Sequence, residues 1–178
     1  MTTVAPILVG RIGNVFWMRV EGKGCLQNSG QAKRCFQTLI EEGTRQFVVD
    51  LERCPIMDST FLGTLTGAAL NLRELGDGKV SVVNANARNQ QLLRSLGLDH
   101  ILDVDRDGSS YPAERREVTR DLTCCREESG LAKDEQAGHV LEAHKALTRA
   151  SSENASRFKD VIEFLEKEVR SQPPPATV

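Results

Sequence analysis

Short β-branched runs alternate with segments of helical period through the first hundred residues, and few folds satisfy that alternation. Residues 7–12 and 15–20 are two apolar runs separated by Gly13-Asn14, which supplies the positive-φ tolerance of a tight turn, so they predict an opening β-hairpin. After a glycine-bearing loop, Asn28 can cap a helix over 28–42, in which Ala32, Cys35, Phe36, Leu39 and Ile40 recur at helical spacing before Gly43 stops it. The run 47–51 (FVVDL) is too short and too β-branched for a helix. Its near-continuous apolarity suits a central strand covered on both faces. Asp58 or Ser59 then caps a helix with Leu62, Leu65, Ala69, Leu72 and Leu75 on its inward stripe. A strand at 79–85, a helix at 89–96 ended by Gly97, and a strand at 101–104 complete the order ββαβαβαβ.

Strands alternating with helices at these spacings imply right-handed parallel crossovers. The expected fold class is α/β, a mixed, mostly parallel sheet of about five strands with helices packed against it, plus a C-terminal helical extension. Val48, Leu51, Leu65, Leu72, Val82, Leu92 and Leu96 are the expected core.

The expected organisation is a main domain over 1–106, a polar connector over 107–131, a helical extension over 132–171 and a frayed tail over 172–178. The connector has only Val118 and Leu122 to bury. In the extension, Val140, Leu141, Ala143, His144 and Leu147 form one helical segment, and Phe158, Val161, Ile162, Leu165 and Val169 the next, divided or bent at Ser151-Ser152. The second stripe either packs on the domain or pairs with another chain in a homodimer, because an isolated helix of this length is marginal in water.

A formal net charge of −2, with bases interleaved among acids, gives no general attraction to nucleic acid. The opening residues lack the basic start of a signal peptide, and no run of roughly 18 apolar residues suggests a membrane span. Five cysteines without CxxC spacing fit a reducing cytoplasm better than a disulfide framework.

The segment 48–65 (VVDLERCPIMDSTFLGTL) puts an acid and two hydroxyls where a strand gives way to a helix. A phosphate at a helix N-terminus gains hydrogen bonds and a favourable dipole interaction, so Ser59 is a candidate for modification. From the residues alone, the favoured reading of Asp58, Ser59 and Thr60 is an N-cap cluster.

Val49-Asp50-Leu51, followed by Met57-Asp58-Ser59-Thr60-Phe61-Leu62-Gly63, resembles the hallmark of the STAS domain, and the stretch 86–102 (NARNQQLLRSLGLDHIL) is similar to that family's ending. Among its members this chain looks most like the anti-sigma factor antagonists, which are not enzymes and need no cofactor or metal. The resemblance implies that Ser59, directly after the aspartate, is the phosphoacceptor for an anti-sigma factor that is a GHKL-type serine kinase. A PP2C-type phosphatase would restore the serine. Asp58, Ser59, Thr60 and Phe61 would lie in the partner interface. Phe61 stands where many relatives have glycine, and fits either an exposed anchor or the domain's own core, the core being favoured. A ligand-sensing or transport-associated STAS module without phosphorylation is the alternative.

Other residues point to the bland reading. His139 and His144 are five apart, off the shared face that metal ligation prefers, so these and His100 are expected on the surface. The vicinal pair Cys124-Cys125 is expected reduced. No glycine loop has the frame of a nucleotide site, and Asp50, Glu52 and Asp58 lack a positioned nucleophile.

Overall fold

The computed structural model describes residues 6–125 and 131–173. Strand β1 (Ile7–Ile12) turns back at Gly13, φ 58°, into β2 (Val15–Val20), and the two pair antiparallel with Ile12 opposite Val15. Helix α1 (Leu26–Glu41) crosses to β3 (Gln46–Asp50), α2 (Ser59–Glu74) to β4 (Lys79–Val83), and α3 (Ala87–Ser95) to the short β5 (Asp103–Val104). Strands β2, β3, β4 and β5 pair in parallel. Helix α4 (Pro112–Asp121) and β6 (Thr123–Cys124) follow, with β6 antiparallel to β1. Among the described residues the sheet has six strands in the order β5-β4-β3-β2-β1-β6, one more than expected. Helices α5 (Lys133–Ala150), α6 (Ser152–Arg157) and α7 (Lys159–Ser171) end the described chain, and Ser151 separates α5 from α6.

The pleat of β3 sends Phe47 and Val49 into the larger core, under α1, α2 and α3, and Val48 to the opposite face. That second face holds Val15, Trp17, Val48 and Val83 beneath Val118 of α4. The segment expected as a polar connector therefore supplies a sheet-covering helix and an edge strand. Val118, 2% exposed, covers this small face together with Leu122 and with Tyr111, whose ring stands edge-on to Trp17. Arg115 anchors the helix to Asp105 and to Asn84.

Val48, Leu51, Leu65, Leu72, Val82 and Leu96 are buried as expected. Leu92 is only half-buried, and its neighbour Leu93 takes the core position. Buried Asn89 donates from Nδ2 to Cys54 O at 2.9 Å, and Leu93, one turn on, shares that inward face. At α1 the helix starts at Leu26, before Asn28. Asn28 reaches back one turn to accept from Cys25 N at 2.9 Å.

Candidate functional site at the start of helix α2

Strand β3 ends on Asp50, which is fully buried and saturated with donors. Its carboxylate accepts from Trp17 Nε1 at 3.1 Å, Arg19 Nε at 2.9 Å, Asn84 Nδ2 at 2.9 Å and Glu52 N at 3.0 Å. Asp50 is thereby a clamp that aims the following loop.

That loop is tied to the loop after β2 by Gly22 N to Arg53 O at 2.9 Å, Gly24 N to Ile56 O at 3.1 Å and Asp58 N to Gly24 O at 2.8 Å. The approach is so close that a Cβ on Gly24 would lie 2.9 Å from Phe61 Cδ1 and 3.0 Å from Met57 Cγ. Glycine is needed there for space.

The loop pairing sets the first turns of α1 and α2 beside each other, with Asp58 between them. One carboxylate oxygen caps α2 by accepting from Phe61 N at 2.8 Å, and the other accepts from Leu26 N at 3.0 Å in the first turn of α1. A single negative charge thus sits at the positive ends of two helices, and each end contributes about 0.3–1 kcal/mol at an exposed site. The sequence shows the α2 cap. The second bond depends on the loop pairing, which no local pattern encodes.

Of the four residues expected at an interface, Asp58 is exposed and Ser59 half-buried, whereas Thr60 and Phe61 are 6% and 0% exposed. Phe61 is a core residue, filling the space left by Gly24. Burying a phenylalanine contributes about 1.5–3 kcal/mol, which outweighs any benefit of displaying it.

Helix α5 lies against α2 along its length. A Cβ on Gly63 would stand 2.2 Å from the Ala143 carbonyl oxygen, and one on Gly67 3.7 Å from Ala146 Cβ. Arg149 pairs with Glu74 at the far end, and Lys33 of α1 pairs with Glu142.

Two histidines that were expected on the surface are each 4% exposed in this seam. They stand about 140° apart round the helix, an arc too wide for one flat interface. Helix α5 packs on α2 and reaches α1 through side chains, so each histidine meets a different helix. His139 Nε2 is 2.7 Å from Ser29 Oγ of α1, and His144 Nε2 is 3.0 Å from Ser59 Oγ of α2. Ser29 also donates to Leu26 O at 3.0 Å, so its oxygen accepts from His139 Nε2–H. The His139 Nδ1 atom is buried without a partner. Burial, followed by the nearby Lys33 charge, pushes the pKa of His139 down to about 4. His100, by contrast, is on the surface, its side chain 83% exposed.

The sequence profile of the STAS domain matches residues 7–110. The chain belongs to the STAS domain family. The crystal structure of TM1081 from Thermotoga maritima, a candidate anti-sigma factor antagonist, is similar to this STAS protein with a TM-score of 0.52 at 19% identity, over 63% of this chain and 93% of that one. The unphosphorylated form of the anti-sigma factor antagonist SpoIIAA of Bacillus gives 0.50 at 16% identity, over 64% and 96%. At such identities the likeness shows the fold. No curated protein matches the chain in sequence. The profile ends at Ser110, so α4, β6 and the helices α5 to α7 lie beyond the matched STAS region. No helix among the described residues is long and apolar enough to cross a membrane.

Proposed function

We propose that this STAS protein is an anti-sigma factor antagonist that works by phosphorylation-controlled partner switching, with Ser59 as the phosphoacceptor. The observation that carries the proposal is the placement of Ser59: first residue of α2, half-exposed, next to the exposed Asp58. A phosphate there would meet the favourable end of the helix dipole, so the fold can carry the modification.

The partners are an anti-sigma factor of the GHKL serine-kinase type and a PP2C-type phosphatase, and the chain itself is a binding module without catalytic activity. The unmodified surface around Asp58 and Ser59 docks on the kinase. A phosphate of about −2 charge beside Asp58, whose carboxylate oxygens accept from two backbone N–H groups, adds repulsion and desolvation cost and drives release. A second copy of the chain would pair through α7, where Phe164 is 67% and Val161 42% exposed.

Incubation with the anti-sigma kinase encoded in the same genome and ATP is expected to add one phosphate, located at Ser59 by mass spectrometry. Ser59→Ala should remain bound to the kinase and Ser59→Asp bind weakly. A phosphate found on another residue, or equal binding by the two variants, would remove this mechanism.

A further inference from the structure

The Ser59 hydroxyl is held by a side chain from outside the matched STAS region. His144 belongs to α5, and its Nε2 lies 3.0 Å from Ser59 Oγ. Its Nδ1 is 2.7 Å from the carbonyl oxygen of Val140, an atom that can only accept, so Nδ1 carries a proton. In the neutral ring Nε2 then offers a lone pair, and the serine O–H donates to it. Phe158 packs edge-on against the imidazole with centroids 5.2 Å apart, and the Gly63–Ala143 contact sets how near α5 approaches α2. The imidazole is held in one tautomer and one orientation against the serine hydroxyl. The adjacent charges are engaged elsewhere: Asp58 with backbone N–H groups, and Lys145 with Glu166 of α7 at 3.0 Å.

From this geometry we infer that His144 holds the phosphate of phosphorylated Ser59 as an imidazolium, joining the C-terminal extension to the state of the switch. The inference rests on Ser59 being the phosphoacceptor.

The product is electrostatically matched. A phosphate of about −2 charge faces a cation, and a charge-assisted hydrogen bond roughly twice as strong as a neutral one replaces the serine–imidazole bond. Were Nε2 to stay bare, a phosphate oxygen and a lone pair would face each other in a partly buried seam, two acceptors with no hydrogen between them. Helix α5 therefore stays on α2 in both states, and the change seen by a partner is confined to the exposed surface at Asp58 and Ser59.

The test uses the full chain with histidines labelled in 15N and with phosphoserine placed at position 59 during translation, so it needs no kinase. At pH 7.5 the His144 Nε2 resonance is expected to move from the range of an unprotonated to that of a protonated nitrogen on phosphorylation, while His139 stays unchanged as an internal reference. An unprotonated His144 Nε2 in both forms would overturn the inference. In His144→Gln, which keeps a polar side chain but cannot become a cation, phosphoserine should lower the melting temperature by several degrees more than it does in the wild-type chain. Equal effects in the two backgrounds would also overturn it. Failure of any kinase to modify Ser59 would count against the proposed function and leave both measurements standing, so the two failures are separable.

Discussion

Gly63 of α2 faces the backbone of Ala143 in α5 so closely that a Cβ on the glycine would lie 2.2 Å from the Ala143 carbonyl oxygen and 2.5 Å from its carbonyl carbon. Backbone atoms cannot rotate away as a side-chain tip can, so a methyl group there must move a helix. Gly63→Ala is expected to destabilise the protein by about 1–3 kcal/mol and to speed amide exchange along Lys133–Ala150 more than in β3 and β4. Unchanged stability with α5 still protected would contradict the packing described.

Asp50 is buried under four donors and is the nearer of the two carboxylates that neutralise Arg19, at 2.9 Å against 3.5 Å for the exposed Glu52. Asp50→Ala should cost about 3–5 kcal/mol, the range for removing one partner of a buried ion pair. Asp50→Asn keeps an acceptor oxygen and should cost less. Urea unfolding followed by the fluorescence of Trp17, the only tryptophan and itself bonded to Asp50, reports both the stability and the local environment.

Stability should fall on acidification because of His139. Its folded-state pKa of about 4 lies below the ordinary 6.5, so between those values the unfolded chain binds more protons than the folded one. The stabilisation is complete above about pH 6.5 and is lost as the pH falls toward 4. At 1.36 kcal/mol per pH unit the full loss is on the order of 3 kcal/mol. His139→Leu, compared with wild type in urea titrations at pH 7 and pH 4.5, should flatten this part of the dependence, and an identical slope would show that His139 does not carry it.

Phe164 and Val161 leave an apolar strip on α7, while Leu165 on the same helix is 7% exposed. Phe164→Ser should leave the melting temperature nearly unchanged, since an exposed side chain contributes little to the fold. It should weaken self-association measured by sedimentation velocity over a concentration series. Association equal to wild type would place the contact elsewhere.

The order of strands and helices through β5, the hairpin at Gly13 and the cap at Asp58 could be read from the chain because each depends on residues within a few positions of one another. Backbone sterics, side-chain caps and hydrophobic period act over that range. The same locality put Asp58 and Ser59 at a strand-to-helix junction. Tertiary packing decided the rest: Phe61 went inward because Gly24 left room for it, and α4 became the cover of the second sheet face because Trp17, Val48 and Val83 needed one. The histidines show the limit most plainly. Ser59 and His144 are 85 positions apart, and Ser29 and His139 are 110 apart. Helical period tells which residues of α5 share a stripe, but its burial depends on which distant helices it packs against, and here contact with both α1 and α2 turned two residues expected on the surface into buried partners of serines.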